Sequence, residues 1–238
     1  MLINKIIFLV LLFAGFNSWS KVPHSETKAN TKTLTSAPAG RVKDDLPILL
    51  AILKRYKTSA LIKMDVSKKV KSEFLIKEQI HQGKIFISYG KMRWENDKPE
   101  KTLLIFDGKT VWNVQYPDKG MNTPIQVAKS NFSKSNNSSI LMDYLSGKNI
   151  IDKNFKLLKS EKQNQKIQYF LEAKNKKANI KSMQIAIDLA KNSISEVEYK
   201  DEIGNTTHLQ FSTIDFLKNK NDELFKFKIP KGAQVTSI

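Results

Sequence analysis

The spacing of apolar side chains predicts that the folded part of the chain begins with one helix. In residues 44–57, DDLPILLAILKRYK, the apolar side chains recur at helical spacing and are Leu46, Leu49, Leu50, Leu53 and Tyr56. An aspartate, Asp44 or Asp45, is suited to cap the first turn, and the helix dipole favours the basic residues at the other end. We therefore expect an amphipathic helix with one face for burial.

Strands are predicted for most of the remaining chain. Residues 60–66 alternate between apolar and polar side chains, which is the period of a half-buried strand. Similar alternation, or enrichment in β-branched and aromatic residues, recurs in residues 73–80, 84–89, 103–106, 110–115, 166–173, 181–189, 195–199, 206–211 and 224–229. Turn-forming pairs such as Asp107-Gly108 and Gly204-Asn205 separate these segments. Many short strands at this spacing predict an antiparallel sandwich or barrel.

A second, shorter helix is predicted in the middle of the chain. The Ser/Asn cluster at residues 135–139 is suited to helix capping, and the apolar side chains that follow it end at Gly147. The apolar positions of this helix include Ile140, Leu141 and Leu145. An amphipathic helix in a sheet protein buries its apolar face by covering the sheet or by closing its mouth.

The first 40 residues differ in character from the rest. Residues 6–16 form an apolar run behind Lys5, which is too short to span a bilayer and is typical of the apolar region of a secretion signal. We expect a signal peptide over residues 1–20, and an uncleaved membrane anchor is the alternative. Residues 21–40 are rich in Ser, Thr, Lys and Pro and are expected to be a flexible leader. Residues 41–238 then form one domain.

The amino-acid composition limits the covalent modifications and the binding partners that can be expected of the chain. The chain has no cysteine, so no disulfide and no lipid on an N-terminal thiol is expected. It has 40 Lys and Arg against 23 Asp and Glu, a net charge of +17 that suggests an anionic partner. The basic residues are spread along the chain and are almost all lysine, whereas proteins that bind nucleic acid use clustered arginines. Attraction to anionic lipid head groups or acidic protein surfaces, and ordinary solvated lysines, both remain open.

The sequence offers no pattern typical of an enzyme or a metal site. His81 and His208, the two histidines of the domain, lie far apart, and no cysteine could join them in a zinc site. The sequence contains no Gly-x-Ser-x-Gly elbow, phosphate-binding glycine loop or His-Glu-x-x-His motif. We expect no catalytic residues, no metal and no cofactor.

Several motifs resemble those of a known family. Residues 90–117, GKMRWENDKPEKTLLIFDGKTVWNVQYP, contain an Arg-Trp-Glu followed by Pro and an Asp-Gly-Lys-Thr-x-Trp hairpin that ends in Tyr-Pro. Both are similar to segments of the periplasmic lipoprotein carrier proteins, the LolA family. SSILMDYLSG at residues 138–147 is similar to the short mid-chain helix of that family, and FKFKIPKGAQV at residues 225–235 is similar to its terminal strand. The likeness covers residues 46–238.

This resemblance implies a fold and a function. The fold is an unclosed, strongly curved antiparallel β half-barrel in which an N-terminal helix and short mid-chain helices form a lid over an apolar cavity. Such carriers take the acyl chains of lipoproteins from an inner-membrane ABC transporter of the LolCDE type and carry them through the periplasm to an outer-membrane receptor of the LolB type. A monomeric protein is expected. A carrier or sensor of another amphiphile, such as a glycolipid or phospholipid, is the alternative, and a hydrolase of periplasmic polymers is a further one.

Strand parity combined with the resemblance predicts the binding residues. The cavity wall is expected to consist of Ile62, Met64, Val66, Met92, Trp94, Leu103, Ile105, Trp112 and Val114. Leu103 and Ile105 are preferred to Leu104 and Phe106 because the family commonly has a small polar residue at the position of Phe106. The lid candidates are Leu49, Leu53, Ile140, Leu141 and Leu145.

The chain departs from the family at one position. Well-known members carry an arginine six residues before the first hairpin tryptophan, where it latches the lid to the barrel. This chain has Ser88 there. Either another group makes the latch, with Arg93 or Lys91 as the nearby candidates, or the lid is looser.

Overall fold

The computed structural model describes residues 42–72, 78–118, 120–131, 154–175 and 180–237, with backbone alone for residues 42–44. In these residues the chain forms one α-helix, twelve β-strands and a single 3₁₀ turn. The predicted signal peptide, the leader and the mid-chain helix with Ile140, Leu141 and Leu145 lie outside the described residues.

The predicted N-terminal helix is confirmed as α1, Val42–Thr58. It begins before the predicted cap, so Pro47 lies inside the helix, where it has no N–H to donate to an earlier carbonyl. Its buried face contains Leu49, Ile52 and Tyr56. At its end, Ser59 donates its backbone N–H to the carbonyl of Arg55 over 3.1 Å. The amphipathic spacing of the sequence therefore identified the helix and, with Leu49 and Tyr56, part of its buried side, but it did not include the buried Ile52.

The strands are β1 (Leu61–Lys71), β2 (Gln79–Ser88), β3 (Lys91–Lys98), β4 (Thr102–Phe106), β5 (Thr110–Gln115), β6 (Gln126–Asn131), β7 (Phe155–Gln163), β8 (Lys166–Ala173), β9 (Ile180–Asp188), β10 (Ser193–Asp201), β11 (Thr206–Leu217) and β12 (Gln234–Ser237). They form one sheet with the order β12-β6-β5-β4-β3-β2-β1-β11-β10-β9-β8-β7. Neighbours are antiparallel except β12 and β6, which are parallel. The two edge strands β12 and β7 do not pair, so the curved sheet is unclosed.

Most predicted strands are present, and one is wrong. The segments at residues 60–66, 84–89, 103–106, 110–115, 166–173, 181–189, 195–199 and 206–211 are confirmed, and of 73–80 only the end, in β2, is described. Residues 224–229 are not a strand, because Asp222–Phe225 form the 3₁₀ turn and the residues after it have no strand partner. Of their alternating apolar side chains, Phe225 is 1% exposed and Phe227 is half-buried, whereas Ile229 is exposed. The alternation therefore indicated the burial of Phe225 and Phe227 and not strand pairing.

The sheet buries apolar side chains on both faces. We name the face that packs with α1 the helix face. Its core cluster includes Leu49, Ile52 and Tyr56 of α1 together with side chains from β1–β4 and β7–β11. We name the opposite face the tail face, because the C-terminal residues 222–233 cover part of it. Its smaller cluster consists of Leu103, Ile105, Val114 and Val127, against which Trp112, Tyr116, Ile125, Phe227 and Ala233 pack.

Candidate ligand-binding face of the sheet

An apolar band crosses the helix face from β1 to β4. The strand register places Met64 opposite Ile85, Ile85 opposite Trp94, and Trp94 opposite Leu104. A second row, one pleat away, joins residues Ile62, Ile87, Met92, Phe106 and Val111. Every one of these side chains is buried or half-buried in the helix-face cluster. The face is therefore continuous and apolar over several strands.

Five of the predicted wall residues lie on this face. Ile62, Met64, Val66, Met92 and Trp94 all belong to the helix-face cluster, and each is 5% exposed or less. Strand alternation in β1 and the hairpin of β2 and β3 brings them together as the sequence parity indicated. Their role in lining a cavity stays a prediction.

The other four predicted wall residues lie on the tail face, away from the first five. They are Leu103, Ile105, Trp112 and Val114. Because Leu104 pairs with Trp94, its neighbours Leu103 and Ile105 project to the opposite side of the sheet. Register then carries the same face to β5, where Val114 pairs with Leu103 and Trp112 with Ile105. The rings of Trp112 and Phe227 are 5.2 Å apart, so the C-terminal segment covers these residues.

The sequence reasoning missed part of the helix face. Leu104 and Phe106, which were set aside, belong to it, as do Ile85 and Ile87 of β2. Residues 84–89 had the alternation of a strand, but no face was assigned to them. The signal that could have found Leu104 is the tight connection between β3 and β4, which sets the register that places Leu104 beside Trp94.

Helix α1 is seated over the β7–β11 side of the sheet by polar contacts at both ends. Near its start, Ser160 Oγ of β7 donates to Asp45 Oδ2 over 2.8 Å, and Tyr169 Oη of β8 donates to the Asp45 carbonyl over 2.7 Å. Near its end, Arg55 donates to the Asn192 carbonyl over 2.8 Å. These contacts fix the helix along its length, with the predicted lid residues Leu49 buried and Leu53 half-buried on the sheet.

Tyr56 also holds α1 on the sheet, through a hydrogen bond and ring contacts. The Tyr56 hydroxyl accepts a hydrogen bond from the backbone N–H of Ile194 over 3.2 Å. Its ring meets Phe216 edge-on at 5.0 Å, and the guanidinium of Arg55 lies 3.7 Å from the centre of the same Phe216 ring. Burial raises the pKa of Tyr56, so the hydroxyl stays protonated.

The residues considered for a lid latch hold other parts of the fold. Arg93 projects to the tail face, where Nε donates to Glu95 Oε1 over 2.6 Å and a terminal nitrogen donates to the Leu224 carbonyl over 3.2 Å. Lys91 donates to Asp222 Oδ1 over 2.6 Å. Both therefore bind the C-terminal segment, on the face away from α1, and the proposed latch role does not fit this placement.

Ser88, at the position of the family's latch arginine, has a local role. Its Oγ donates to the carbonyl of Ala60 over 2.9 Å, and the residue is buried. This bond ties the connection between α1 and β1 to the end of β2. A serine at this position therefore links the helical and sheet parts of the chain over a short distance.

A buried lysine interrupts the apolar row of β1, which continues beyond it with the buried Val70. Lys68 has the same strand parity as Met64 and Val66, and it is 5% exposed. Its Nζ lies 5.7 Å from the centre of the Trp94 ring. Burial lowers the pKa of Lys68 to about 8, so it still carries a positive charge at neutral pH. Sequence reasoning missed this residue because lysines are numerous in the chain.

The described residues contain neither a membrane-spanning helix nor a cluster of metal-binding side chains. No helix in this part of the chain is long and apolar enough to cross a membrane. In the same residues, no three His, Cys, Asp or Glu side chains come together in a way that could hold a metal ion.

Comparison with known proteins identifies relatives. An outer-membrane lipoprotein carrier protein of Cupriavidus pinatubonensis is 30% identical over 155 residues, which are 63% of this chain and 67% of that protein. One of Dechloromonas aromatica is 29% identical over 180 residues, 75% of this chain and 82% of that protein. Among solved structures, an uncharacterized conserved protein from Thermus thermophilus has a TM-score of 0.49 at 16% identity, covering 82% of this chain and all of that one.

A family description also matches most of the chain. A LolA superfamily protein of Nitrosomonas europaea has a TM-score of 0.39 at 10% identity, covering 74% of this chain and 96% of that chain. The family described as "Outer membrane lipoprotein carrier protein LolA" matches residues 58–228, which is well over half of the chain. The chain therefore belongs to the LolA family of outer-membrane lipoprotein carrier proteins.

Proposed function

We propose that this protein binds the acyl chains of lipoproteins on the helix face of its sheet and carries them through the periplasm. The observation that supports this best is the continuous apolar band of the helix face in a member of the LolA family. A carrier needs a surface of this kind, because its ligand must leave one apolar environment and cross water before it reaches another. In this proposal the protein acts as a chaperone and not as an enzyme.

Exposure of acyl chains to water has a large free-energy cost, which such a carrier must offset. Each methylene exposed to water costs about 0.8 kcal/mol, so three acyl chains of about 15 methylenes would cost on the order of 35 kcal/mol in water. Free diffusion of the lipidated protein is therefore excluded. Apolar side chains on a sheet face offset this cost by replacing water around the chains.

Side chains on the helix face are suited to reversible binding. Met64, Met92 and Met183 belong to the cluster, and their unbranched thioether side chains adapt to ligands of irregular shape. Trp94 adds a large flat surface. A carrier must also release its ligand, and adaptable contacts favour moderate affinity over a rigid fit.

In this proposal, the position of α1 leaves part of the helix face available to a ligand. The polar contacts of α1 reach β7, β8 and β10, whereas β2–β5 lie in the other half of the sheet order. We propose that the acyl chains lie along β1–β5, and that α1 forms one wall through Leu49 and Leu53. In this proposal the predicted mid-chain helix, with Ile140, Leu141 and Leu145, forms the lid.

The proposed route follows from the family and from the N-terminal sequence. A signal peptide over residues 1–20 would export the chain to the periplasm. There the protein would receive lipoproteins from an ABC transporter of the inner membrane and deliver them to the outer membrane, through a receptor if one is present. We propose a monomeric carrier whose other partners are those two membrane components.

Transfer from membranes tests this function directly. Inner-membrane vesicles that contain the transporter and a fluorescent triacylated lipoprotein are incubated with the purified protein, with and without ATP. ATP-dependent appearance of a soluble one-to-one complex is expected. No soluble complex in the presence of ATP would contradict the proposal. Retained binding of a different amphiphile, identified by mass spectrometry of the purified protein, would favour the alternative cargo.

Two adjacent leucines provide a matched pair of variants. Leu104→Asn introduces an amide on the helix face, and Leu103→Asn introduces the same group on the tail face. Leu103 is buried and Leu104 is half-buried, so the control variant carries the greater folding cost. Loss of lipoprotein uptake in Leu104→Asn with uptake retained in Leu103→Asn would locate binding on the helix face. The reverse result would place it on the tail face.

A further inference from the structure

One end of the sheet carries exposed apolar side chains. We name the end rim the residues 88–91, 107–110 and 217–222, which connect β2 to β3, β4 to β5, and β11 to the 3₁₀ turn. Tyr89 in the first connection is 68% exposed, and Leu217 in the third is 43% exposed. Single exposed apolar side chains are ordinary in proteins, so the residues around these two decide whether they form a binding surface.

Contacts between the three connections bring them together at one end of the strands. A Cβ atom at Gly108 would lie 3.6 Å from the carbonyl oxygen of Gly90, so the two hairpin turns are close neighbours. Leu217 ends β11 beside the start of β1, and β2 is the other neighbour of β1. From there the chain reaches β3, where Asp222 accepts a hydrogen bond from Lys91 over 2.6 Å. The end rim is therefore one continuous surface.

The end rim has a net positive charge. Its charged residues are the aspartates Asp107 and Asp222 and the lysines Lys91, Lys109, Lys218 and Lys220. Asp222 is bound by Lys91, and the Asp107 carboxylate accepts the backbone N–H of Lys109 over 2.8 Å. Lys109, Lys218 and Lys220 are exposed, and within the described part of the chain they form no ion pair. These three charges are therefore available to an anionic partner.

The apolar band of the helix face reaches the end rim without a polar interruption in β1–β4. The row nearest to the rim consists of Ile62, Ile87, Met92, Phe106 and Val111. Ile87 directly precedes Ser88 of the end rim, and Met92 directly follows Lys91. In the opposite direction Lys68 and His81, which pair across β1 and β2, interrupt the band. An acyl chain moving along the strands would therefore meet a continuous apolar surface from the end rim and not from the other end of the sheet.

We propose that the end rim docks on an anionic phospholipid surface, with Tyr89 and Leu217 in the head-group layer and Lys109, Lys218 and Lys220 beside lipid phosphates. The inference rests on the proposed function and names the surface where acyl chains enter and leave the protein. Tyrosine is favoured at membrane–water interfaces, where its ring is in an apolar layer and its hydroxyl in water. Lysines close to an anionic membrane are attracted to it over about a Debye length, roughly 10 Å at 0.1 M salt. Docking brings the strand ends to the bilayer, so acyl chains pass to the helix face without crossing water.

Two features favour a lipid surface over an acidic protein surface. The basic residues of the end rim are all lysines, which act as compact point charges, whereas arginine is the residue suited to bidentate contacts with protein carboxylates. The exposed side chains of Tyr89 and Leu217 also fit a soft interfacial layer, which accepts apolar groups of any shape. A lipid surface thus uses both the charge and the apolar groups of the end rim.

Flotation with lipid vesicles tests this docking without any cargo. The protein is used in its exported form, without residues 1–20, because the apolar run in that segment would itself bind lipid. One set of vesicles consists of phosphatidylcholine, and the other contains phosphatidylcholine and phosphatidylglycerol in equal parts. Affinity for the anionic vesicles is expected to be about 10-fold higher or more at 0.1 M salt, and to fall as the salt concentration is raised.

A pair of double variants tests the charge of the end rim. Lys218→Gln combined with Lys220→Gln should lower the affinity for anionic vesicles about 10-fold, because both lysines are then missing from the docked surface. Lys71→Gln combined with Lys98→Gln is the matched control, since it removes the same charge from exposed positions at the opposite ends of β1 and β3. The control should change the affinity by less than about 3-fold, because its lysines lie beyond the screening distance.

A pair of single variants tests the apolar part of the end rim. Tyr89 follows the last residue of β2, and Ile80, which is 55% exposed, lies near the first. Both side chains are exposed, so serine at either position should leave the fold intact. Tyr89→Ser should lower the affinity for anionic vesicles several-fold, whereas Ile80→Ser should leave it unchanged.

Other outcomes would overturn the docking or the function beneath it. Equal affinity for neutral and anionic vesicles, or an equal fall in both double variants, would overturn docking through the end rim and leave the carrier function intact. Failure to bind either kind of vesicle, together with slower ATP-dependent transfer in the Lys218 and Lys220 double variant, would replace the lipid with an acidic protein surface. Docking as expected, but without a soluble lipoprotein complex in the presence of ATP, would contradict the proposed carrier itself.

Discussion

Ser160 donates a hydrogen bond of 2.8 Å from Oγ to Oδ2 of Asp45, and this contact joins α1 to the edge strand β7. Ser160 is 1% exposed, so the bond is shielded from water. Tyr169 donates to the carbonyl of the same aspartate over 2.7 Å. Two neighbouring strands thus hold the start of the helix, and the helix in turn covers the apolar face of those strands.

Removing this anchor is expected to loosen the start of α1 before the rest of the fold. Ser160→Ala should lower the free energy of unfolding by about 1–2 kcal/mol, because the Asp45 carboxylate loses a protected donor. Hydrogen exchange should become faster for the first turns of α1 and stay slow near Tyr56, whose hydroxyl binds Ile194. Lys57→Ala, at an exposed helix position, is the control and should change stability by less than about 0.5 kcal/mol. Uniformly faster exchange along α1 would contradict separate anchoring of its two ends.

The C-terminal segment is expected to depend on Arg93. Arg93→Ala removes donors from Glu95 and from the Leu224 carbonyl on the tail face. Limited proteolysis should then cut residues 222–233 several times faster than in the unmodified protein. Lys91→Ala should have a smaller effect, because its ion pair with Asp222 is more exposed and such pairs contribute at most about 1 kcal/mol.

The same variant tests the latch hypothesis. If Arg93 acts only on the C-terminal segment, Arg93→Ala should leave the affinity for acyl ligands unchanged, since the helix face is on the opposite side of the sheet. A marked loss of acyl affinity without faster proteolysis would restore the latch role that the resemblance suggested. Titration with a fluorescent long-chain acyl ester and timed proteolysis of one preparation separate the two outcomes.

The sequence predicted strands well where only one face of a strand is apolar. In β1 the buried positions alternate regularly from Ile62 to Val70, and the alternation in the sequence identified the strand directly. The helix was found for the same reason, since its apolar side chains follow one side of α1.

Faces could not be assigned where both sides of a strand are apolar. In β4, Leu103, Leu104, Ile105 and Phe106 are all buried or half-buried, because α1's cluster lies on one side and the C-terminal segment on the other. Alternation then carries no information about which residues share a face with Trp94. That assignment requires the register between β3 and β4, which is a long-range property of the folded chain.

Three strands lacked a clear pattern for a different reason. β6 has Val127 as its one buried residue, β12 is exposed throughout, and the register of β7 shifts between Leu157 and Lys159. The shift breaks the period of two that a sequence pattern needs. These strands exist because neighbouring strands offer hydrogen-bonding partners, which the local sequence does not report.

The fluorescence of the two tryptophans is expected to report on ligand binding at different faces of the sheet. In the chain without residues 1–20, Trp94 and Trp112 are the only tryptophans. An acyl chain carrying a bromine quencher should reduce the emission of Trp94, measured in Trp112→Phe, by more than half. Emission of Trp112, measured in Trp94→Phe, should change little, because that ring packs against Phe227 on the tail face. Stronger quenching of Trp112 would place the ligand on the wrong face for the proposed function.

The free energy of unfolding is expected to depend on pH because the charge of Lys68 is buried. Burial lowers the pKa of this lysine from 10.5 to about 8, so between these pH values the folded protein binds fewer protons than the unfolded chain. The free energy of unfolding therefore rises with pH in this window, by at most about 1.4 kcal/mol per pH unit from this group. Below about pH 8 the contribution is constant and unfavourable, and above 10.5 the penalty is gone.

Comparison with Lys68→Met isolates this effect. Denaturant unfolding of both proteins at several pH values gives a difference in unfolding free energy, in which titration of the buried tyrosines Tyr56, Tyr169 and Tyr199 cancels because both proteins contain them. The unmodified protein should gain on the variant as the pH rises from 8 towards 10.5. A difference that stays constant with pH would contradict the lowered pKa of Lys68 in the folded protein.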